Sequence, residues 1–297
     1  MVDSTQADVI EAALKRAGGR CIVNSINLED GEKRLDEICP LLHRYGAACV
    51  ALTIDEDPQA GMAKTADRKL EIAERIHGLY TRKWGLQEED LFFDPLTFTI
   101  ATGNEEDRRL GLETLEGIRR IAERFPKCQI LLGLSNISFG LKPAARAVLN
   151  SVYLHEARQR GLTAAIVHFS KLLPLNRIPA EQREAAEWLI FDRRGAERPE
   201  GKPADFDPLL HFIGLFPDGV EQTTEKKGLA DLPIEERLQR HIVDGDDTAL
   251  DASLDAALAK YPPLDIINDH LLAGMKTVGE LFAAGTMQLP FVLQSAG

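Results

Sequence analysis

The chain lacks several features that would each have assigned it to a class. Its four cysteines, Cys21, Cys39, Cys49 and Cys128, form no C-x-x-C pair, so their spacing suggests neither a zinc site nor a disulfide framework. Three of them lie in apolar strand-like or helical runs, and all four are expected to be small buried hydrophobes in a reducing cytoplasm. No stretch reaches the ~18 uninterrupted apolar residues of a membrane span. The opening MVDSTQADVIEAALKRAGG has neither the basic start nor the apolar core of a signal peptide. A cytoplasmic protein with no membrane partner is the expectation. Positive charge is also scarce: 35 lysines and arginines against 47 aspartates and glutamates leave a formal net charge of -12. That disfavours a nucleic-acid partner, because displacing counterions from phosphates needs a basic face.

What the sequence does contain is a repeat. Short apolar, β-branched runs at Cys21–Ile26, Cys49–Ile54, Leu91–Pro95, Gln129–Ser135 and Ala164–His168 alternate with helical patterns. Those patterns cover Gln6–Ala17, Glu32–Tyr45, Lys64–Trp84, Glu105–Phe125, Pro143–Arg160 and Pro179–Arg193. Continuous apolar strands separated by amphipathic helices indicate parallel strands covered by crossover helices. Gly18-Gly19, Gly46 and Gly161 fall just past helix ends, where a left-handed cap favours glycine.

Each strand runs out into a polar residue: Asp3, Asn24, Asp55, Asp94, Asn136 and His168. In a βα-barrel the carboxyl ends of the strands form the mouth of the active site, so these six side chains are expected to converge there. The stretch ILLGLSNISFGL poses the question most sharply. An apolar strand runs straight into Ser135, Asn136 and Ser138, whose polar groups are costly to bury without partners.

Eight βα units close such a barrel, and the sequence supplies five and the tail of a sixth, so the fold expected is an incomplete TIM-type (β/α)8 barrel. Beyond Arg194 the segment GAERPEGKPADFDP is rich in proline, glycine and charge and predicts a linker. From Pro233 the pattern is helical, at Ile234–Val243, Thr248–Lys260 and Leu264–Ala284, with a fourth helix starting near Pro290, as in a truncated antiparallel bundle. The expected division is therefore 1–194 for the barrel, 195–232 for the linker and 233–297 for a helical cap.

These motifs resemble a known family. VDST at Val2–Thr5, IVNSINLEDGE at Ile22–Glu32, FDP at Phe93–Pro95, ATG at Ala101–Gly103 and GLSNISFGL at Gly133–Leu141 look like the pterin-binding barrel of cobalamin-dependent methionine synthase. MKTVGELFAAGTMQLPFVLQSA at Met275–Ala296 is similar to the helical cap of that family's cobalamin module. The resemblance implies methyl transfer from 5-methyltetrahydrofolate to cob(I)alamin and then from methylcobalamin to homocysteine. It also implies that this sequence is an internal part of a longer enzyme. The homocysteine domain with its zinc would come before it, and the cobalamin-binding α/β domain with its Asp-x-His-x-x-Gly loop after it.

The resemblance also implies roles. Asp3, Asn24 and Asp94 match pterin-contacting positions, and a carboxylate can take two parallel N–H bonds from the flat edge of a pterin. Asn136 matches the residue at the pterin N5, where protonation or a strong hydrogen bond lets the nitrogen leave the methyl group. An amide serves both states, accepting from N5–H+ or donating to bare N5. Ser135 and Ser138 are expected to orient Asn136. Phe282 and Leu289 match the apolar pair that covers the methyl face of cobalamin. Asp55 and His168 are rim candidates, and Lys171 and Asn176 could approach the acidic tail of folate.

Structural alternatives stand beside these roles. Asp3 could cap the helix after it, Asp94 could serve a turn with Pro95, and the apolar pair could be bundle packing. Other functional readings are a free-standing methyltetrahydrofolate:corrinoid methyltransferase, dihydropteroate synthase, and a non-catalytic truncated folate-binding fragment.

Overall fold

The computed structural model describes residues 1–216, 232–244, 249–283, 287, 292, 295 and 296. Six parallel strands form one sheet in chain order: β1 (Val2–Asp3), β2 (Ile22–Leu28), β3 (Ala48–Asp55), β4 (Leu91–Asp94), β5 (Gln129–Gly133) and β6 (Ala164–Ile166). Successive strands are joined through α1 (Ala7–Leu14), α2 (Lys33–Tyr45), α3 (Ala66–Gly78), α4 (Leu110–Arg124) and α5 (Pro143–Gln159), and α6 (Ala180–Ile190) follows β6. A sequential parallel sheet with a helix after every strand is the repeat of a TIM-type barrel. Among the described residues six strands of that barrel are present, with β1 and β6 at the edges of the sheet.

The helices bury one face each. On α4, Leu110, Leu115, Ile118 and Ile121 lie in the core on one side of the helix. Strand β3 is buried at Ala48, Cys49, Val50 and Ala51 in succession, as expected for a central parallel strand covered on both faces. All four cysteines are free thiols; Cys39, Cys49 and Cys128 are buried as expected, whereas Cys21 is only half-buried, and burial pushes the Cys39 thiol up to about 12.

Several boundaries differ from the expectation. Helix α1 ends at Leu14, before the glycine pair, because Arg16 and Ala17 turn back onto Ala13 and Leu14 in tighter bonds. Strand β2 continues to Leu28, with register shifts after Asn24 and again after Ile26, so Asn24 lies within the strand rather than at its end. Strand β5 stops at Gly133 and Leu134–Ser138 form a 3-10 turn.

The expected linker is the largest difference. Within 195–232, α7 (Pro208–Gly214) packs on α6. Its Leu209, Phe212 and Ile213, with Phe216 just beyond, join the main core. The helix start was legible in FDPLLHFIGLF: Asp207 caps it, accepting from Leu209 and Leu210 at 2.7 and 3.1 Å, and Pro208 suits the first turn. Further on, α8 (Ile234–Asp244), α9 (Leu250–Leu258), α10 (Pro263–Asp265) and α11 (Leu272–Ala283) have their own small core of Leu238, Ala257 and Ile266. Residues 266–271 widen into a π-turn between α10 and α11, so the expected helix from Leu264 is interrupted. The helix expected near Pro290 lies outside the described residues.

Gly161 shows how tightly the layers fit. It has a φ of +109°, and a Cβ there would lie 2.7 Å from the Cβ of Ala122 on α4. Gly161→Ala should therefore cost about 2–4 kcal/mol in urea denaturation, from backbone strain and overpacking together. Gly18→Ala, where nothing lies within 4 Å, should change stability by less than about 0.5 kcal/mol.

Candidate functional site

Because the strands are parallel, their carboxyl ends share one edge, and Asp3, Asp55 and Asp94 close β1, β3 and β4 there. The three carboxylates meet different fates. Asp55 is 5% exposed and is neutralised by Arg68 at 2.5 Å and Arg75 at 3.5 Å. It is therefore held as structure, with both guanidiniums coming from α3.

Asp3 is exposed and pairs in register with Asn24 on β2. It does not cap α1: the Gln6 amide is taken by Ser4 Oγ at 3.1 Å. Asp3, Asn24, Ser25 and Asn27 line a concavity of about 320 Å³ with Glu29, Lys33 and Arg34. Arg34, which sequence reasoning missed, fixes its shape. From α2 its guanidinium donates to the carbonyls of Thr5 at 2.7 Å, Ser4 at 3.0 Å and Ser25 at 3.1 Å, tying the segment after β1 to the irregularity within β2.

Asp94 is buried, and desolvation pushes its carboxyl up to about 6 against the backbone amides of Leu96 and Gly133 and the charge of Lys69. Its Oδ1 accepts from Leu96 N at 2.8 Å. Gly133 links it to Asn136. The Gly133 amide faces the Asp94 carboxylate, while the Asn136 Nδ2 lies 3.3 Å from where a Gly133 Cβ would stand. A side chain at 133 would crowd that amide. Asn136 itself is exposed, and among the described residues no group hydrogen-bonds its side chain. Asp94 and Asn136 thus meet at Gly133 on the β4–β5 edge, and β3 lies between Asp94 and Asn24, which are two strand spacings, roughly 10 Å, apart.

The two serines work on the turn. Ser138 is fully buried; its hydroxyl donates to Asn150 Oδ1 at 2.8 Å and accepts from Arg146 Nε at 3.1 Å. The Ser135 carbonyl accepts from Arg146 Nη2 at 3.0 Å. Arg146 and Asn150, both on α5, therefore clamp the turn that presents Asn136. Neither is picked out by the motif itself.

Ser135 also borders a second cavity of about 580 Å³ with Arg146, Asn150, His168, Lys171 and Leu172. His168 is exposed, with Ser170 Oγ 3.0 Å from its Nδ1. Asn176 is exposed on the following loop and does not border this cavity. Phe282 on α11 lines a small cavity of about 150 Å³ with Phe139, Leu141, Pro143, Arg146 and Met287, beside the segment that follows Asn136. Leu289 lies outside the described residues.

At the opposite edge, before β4 and β5, one ligand atom each from His77, Glu88 and Cys128 lies within 4.8 Å of the others. Lys127 already pairs with Glu88 at 2.9 Å, and burial holds the Cys128 thiol up at about 12. This cluster is an ion-pair network rather than a prepared metal site.

Residues 1–168 match the family described as pterin binding enzyme, and residues 234–297 match the B12 binding domain. The whole chain is 55% identical to a stretch of methionine synthase from Mycobacterium tuberculosis and 52% identical to one from Mycobacterium leprae. It spans 24% of the length of each of those relatives.

The buried carboxylate makes a pH prediction. With its folded value at about 6 and an ordinary value near 3.9, ionised Asp94 opposes folding, and the penalty is absent below pH 4 and complete above pH 6. Asp94→Asn cannot ionise. Relative to the unaltered protein, it should gain up to ~3 kcal/mol on going from pH 4 to pH 7. Urea denaturation at the two pH values tests this; an unchanged difference would mean that Asp94 is not desolvated.

Proposed function

Because the chain belongs to the pterin binding enzyme family and its residues 234–297 match the B12 binding domain, we propose that it holds 5-methyltetrahydrofolate at the sheet edge for methyl transfer to cob(I)alamin. The transfer is one half of the synthesis of methionine from homocysteine, in line with the relatives' names. The observation that carries the reading is the junction of Asp94 and Asn136 through Gly133.

In this reading the desolvated Asp94 carboxylate accepts from the N–H edge of the pterin, where low dielectric strengthens charge-assisted bonds. Asn24 and Asp3 meet the ring from the β1–β2 side. The exposed Asn136 amide, with no partner of its own among the described residues, is available to N5. There it donates to the bare tertiary amine and, after rotation, accepts from the protonated one. The N5–CH3 bond breaks with its electron pair left on nitrogen, and the proton held against Asn136 makes tetrahydrofolate a neutral leaving amine. Ser135 and Ser138 act through the turn, with Arg146 and Asn150.

Cobalamin in its cob(I) state would supply the electron pair that takes the methyl group. The side chains of this chain that would lie against it are Phe282 and Leu289. The apolar Phe282 beside Phe139 and the turn after Asn136 suits a lid that keeps water from a reactive centre. The barrel unit runs through α7 rather than stopping at residue 194, and the cap begins with α8.

The half-reactions separate these roles. In the full-length protein, Asn136→Ala should slow methyl transfer from methyltetrahydrofolate by about 10²-fold or more while changing methylation of homocysteine by added methylcobalamin little. Equal losses in both would overturn the role of Asn136.

A further inference from the structure

One buried charge remains without a role. Lys69 sits on α3 with a fully buried side chain, on the apolar stripe formed by Ala66, Ile72, Ala73 and Ile76. Its ammonium donates to the carbonyls of Ala63 at 2.7 Å, Pro95 at 2.6 Å and Leu96 at 3.4 Å. Three hydrogens thus meet three acceptors. The stem runs over Gly117 of α4, where a Cβ would come within 2.7 Å of Lys69 Cδ, and the ring of Phe98 lies 5.2 Å from Nζ.

Two of the carbonyls belong to the turn directly after Asp94. Leu96 there has a φ of +63°, a conformation unfavourable for a residue with a side chain. The turn is secured at both ends: the Leu96 amide bonds to Asp94, and the Leu96 carbonyl accepts from Thr114 at 3.0 Å as well as from Lys69. A neutral donor could tie the same carbonyls with a far smaller desolvation penalty than an ammonium. What the charge adds is a field at the Asp94 carboxylate, present below the value of about 7 to which burial lowers the Lys69 ammonium and so across the acid range in which Asp94 takes its proton.

We propose that Lys69 is a positioning residue for Asp94, holding the Pro95–Leu96 turn that sets the carboxylate and placing a positive charge beneath it that keeps it ionised for its ligand. The proposal rests on the reading of Asp94 as a pterin contact. The titratable groups around the pair are Glu113 on α4, which with Asp94 faces Lys69, and Tyr153 on α5, which faces Asp94. Glu113 is engaged with the first amide of α3, at Ala66, at 2.8 Å, and the Tyr153 hydroxyl donates to the Gly111 carbonyl at 3.2 Å.

The test is the pH profile of 5-methyltetrahydrofolate binding to the full-length protein, for the unaltered chain and for Lys69→Met, Lys69→Gln and Thr114→Val. Binding should fail on the acid side as Asp94 takes a proton. Without the lysine charge that limb should move up by about one pH unit, in Lys69→Gln as in Lys69→Met, because glutamine can still donate to the carbonyls. Thr114→Val loosens the same turn without removing a charge, so it should weaken binding at all pH values and leave the limb in place. An unmoved limb in both lysine variants, or an equal shift in Thr114→Val, overturns the role of Lys69 while leaving the folate reading intact. Failure of the unaltered protein to bind at any pH overturns both.

Discussion

Parallel strands must return by crossovers, and this constraint delivers the carboxyl end of every strand to one edge of the sheet. Here it gathers aspartates that are far apart in sequence, from Asp3 to Asp94, with the turn of Asn136 beside them. Carboxylates at one rim would repel one another unless their surroundings treated them differently. Asp55 is answered by Arg68 and Arg75, Asp3 stays in solvent, and Asp94 is buried over Lys69. The rim is thereby divided into a structural carboxylate, an exposed one and a desolvated one.

The helices outside the sheet do more than cover it. Helix α2 sends Arg34 to the carbonyls of Ser4 and Thr5 after β1 and of Ser25 at the irregularity within β2, α3 sends Lys69 to the turn after β4, and α5 sends Arg146 and Asn150 to the turn after β5. In each case a polar side chain reaches from a helix to irregular backbone at the rim, where carbonyls have no sheet partner and must find a donor. The loops that face a ligand are in this way fixed by the layer behind them.

Much of this was legible and some was overlooked. The alternation of strands and helices, the polar strand ends and the separate helical region all follow from periodicity. The helix at Pro208 carried its own cap and proline, but a segment rich in proline, glycine and charge masked it. Lys69 was also readable, as a single charge on the stripe Ala66, Ile72, Ala73, Ile76. A lysine at such a position either snorkels to solvent or finds buried acceptors, and the local sequence does not distinguish the two. The same holds for Asp55, which looks like Asp94 at the end of a strand until the arginines of α3 are placed against it.

The sequence by itself determined the repeat, the direction of its strands and hence the edge to which the polar residues belong, because hydrophobic period and strand length are local properties. Only the tertiary structure decided which of those residues are spent on the protein and which are left for a ligand. Whether a carboxylate meets a guanidinium, a backbone amide or water depends on side chains that arrive from other helices, dozens of residues away in the chain. The same packing brought Gly133 between Asp94 and Asn136, and no spacing rule along the chain expresses that contact.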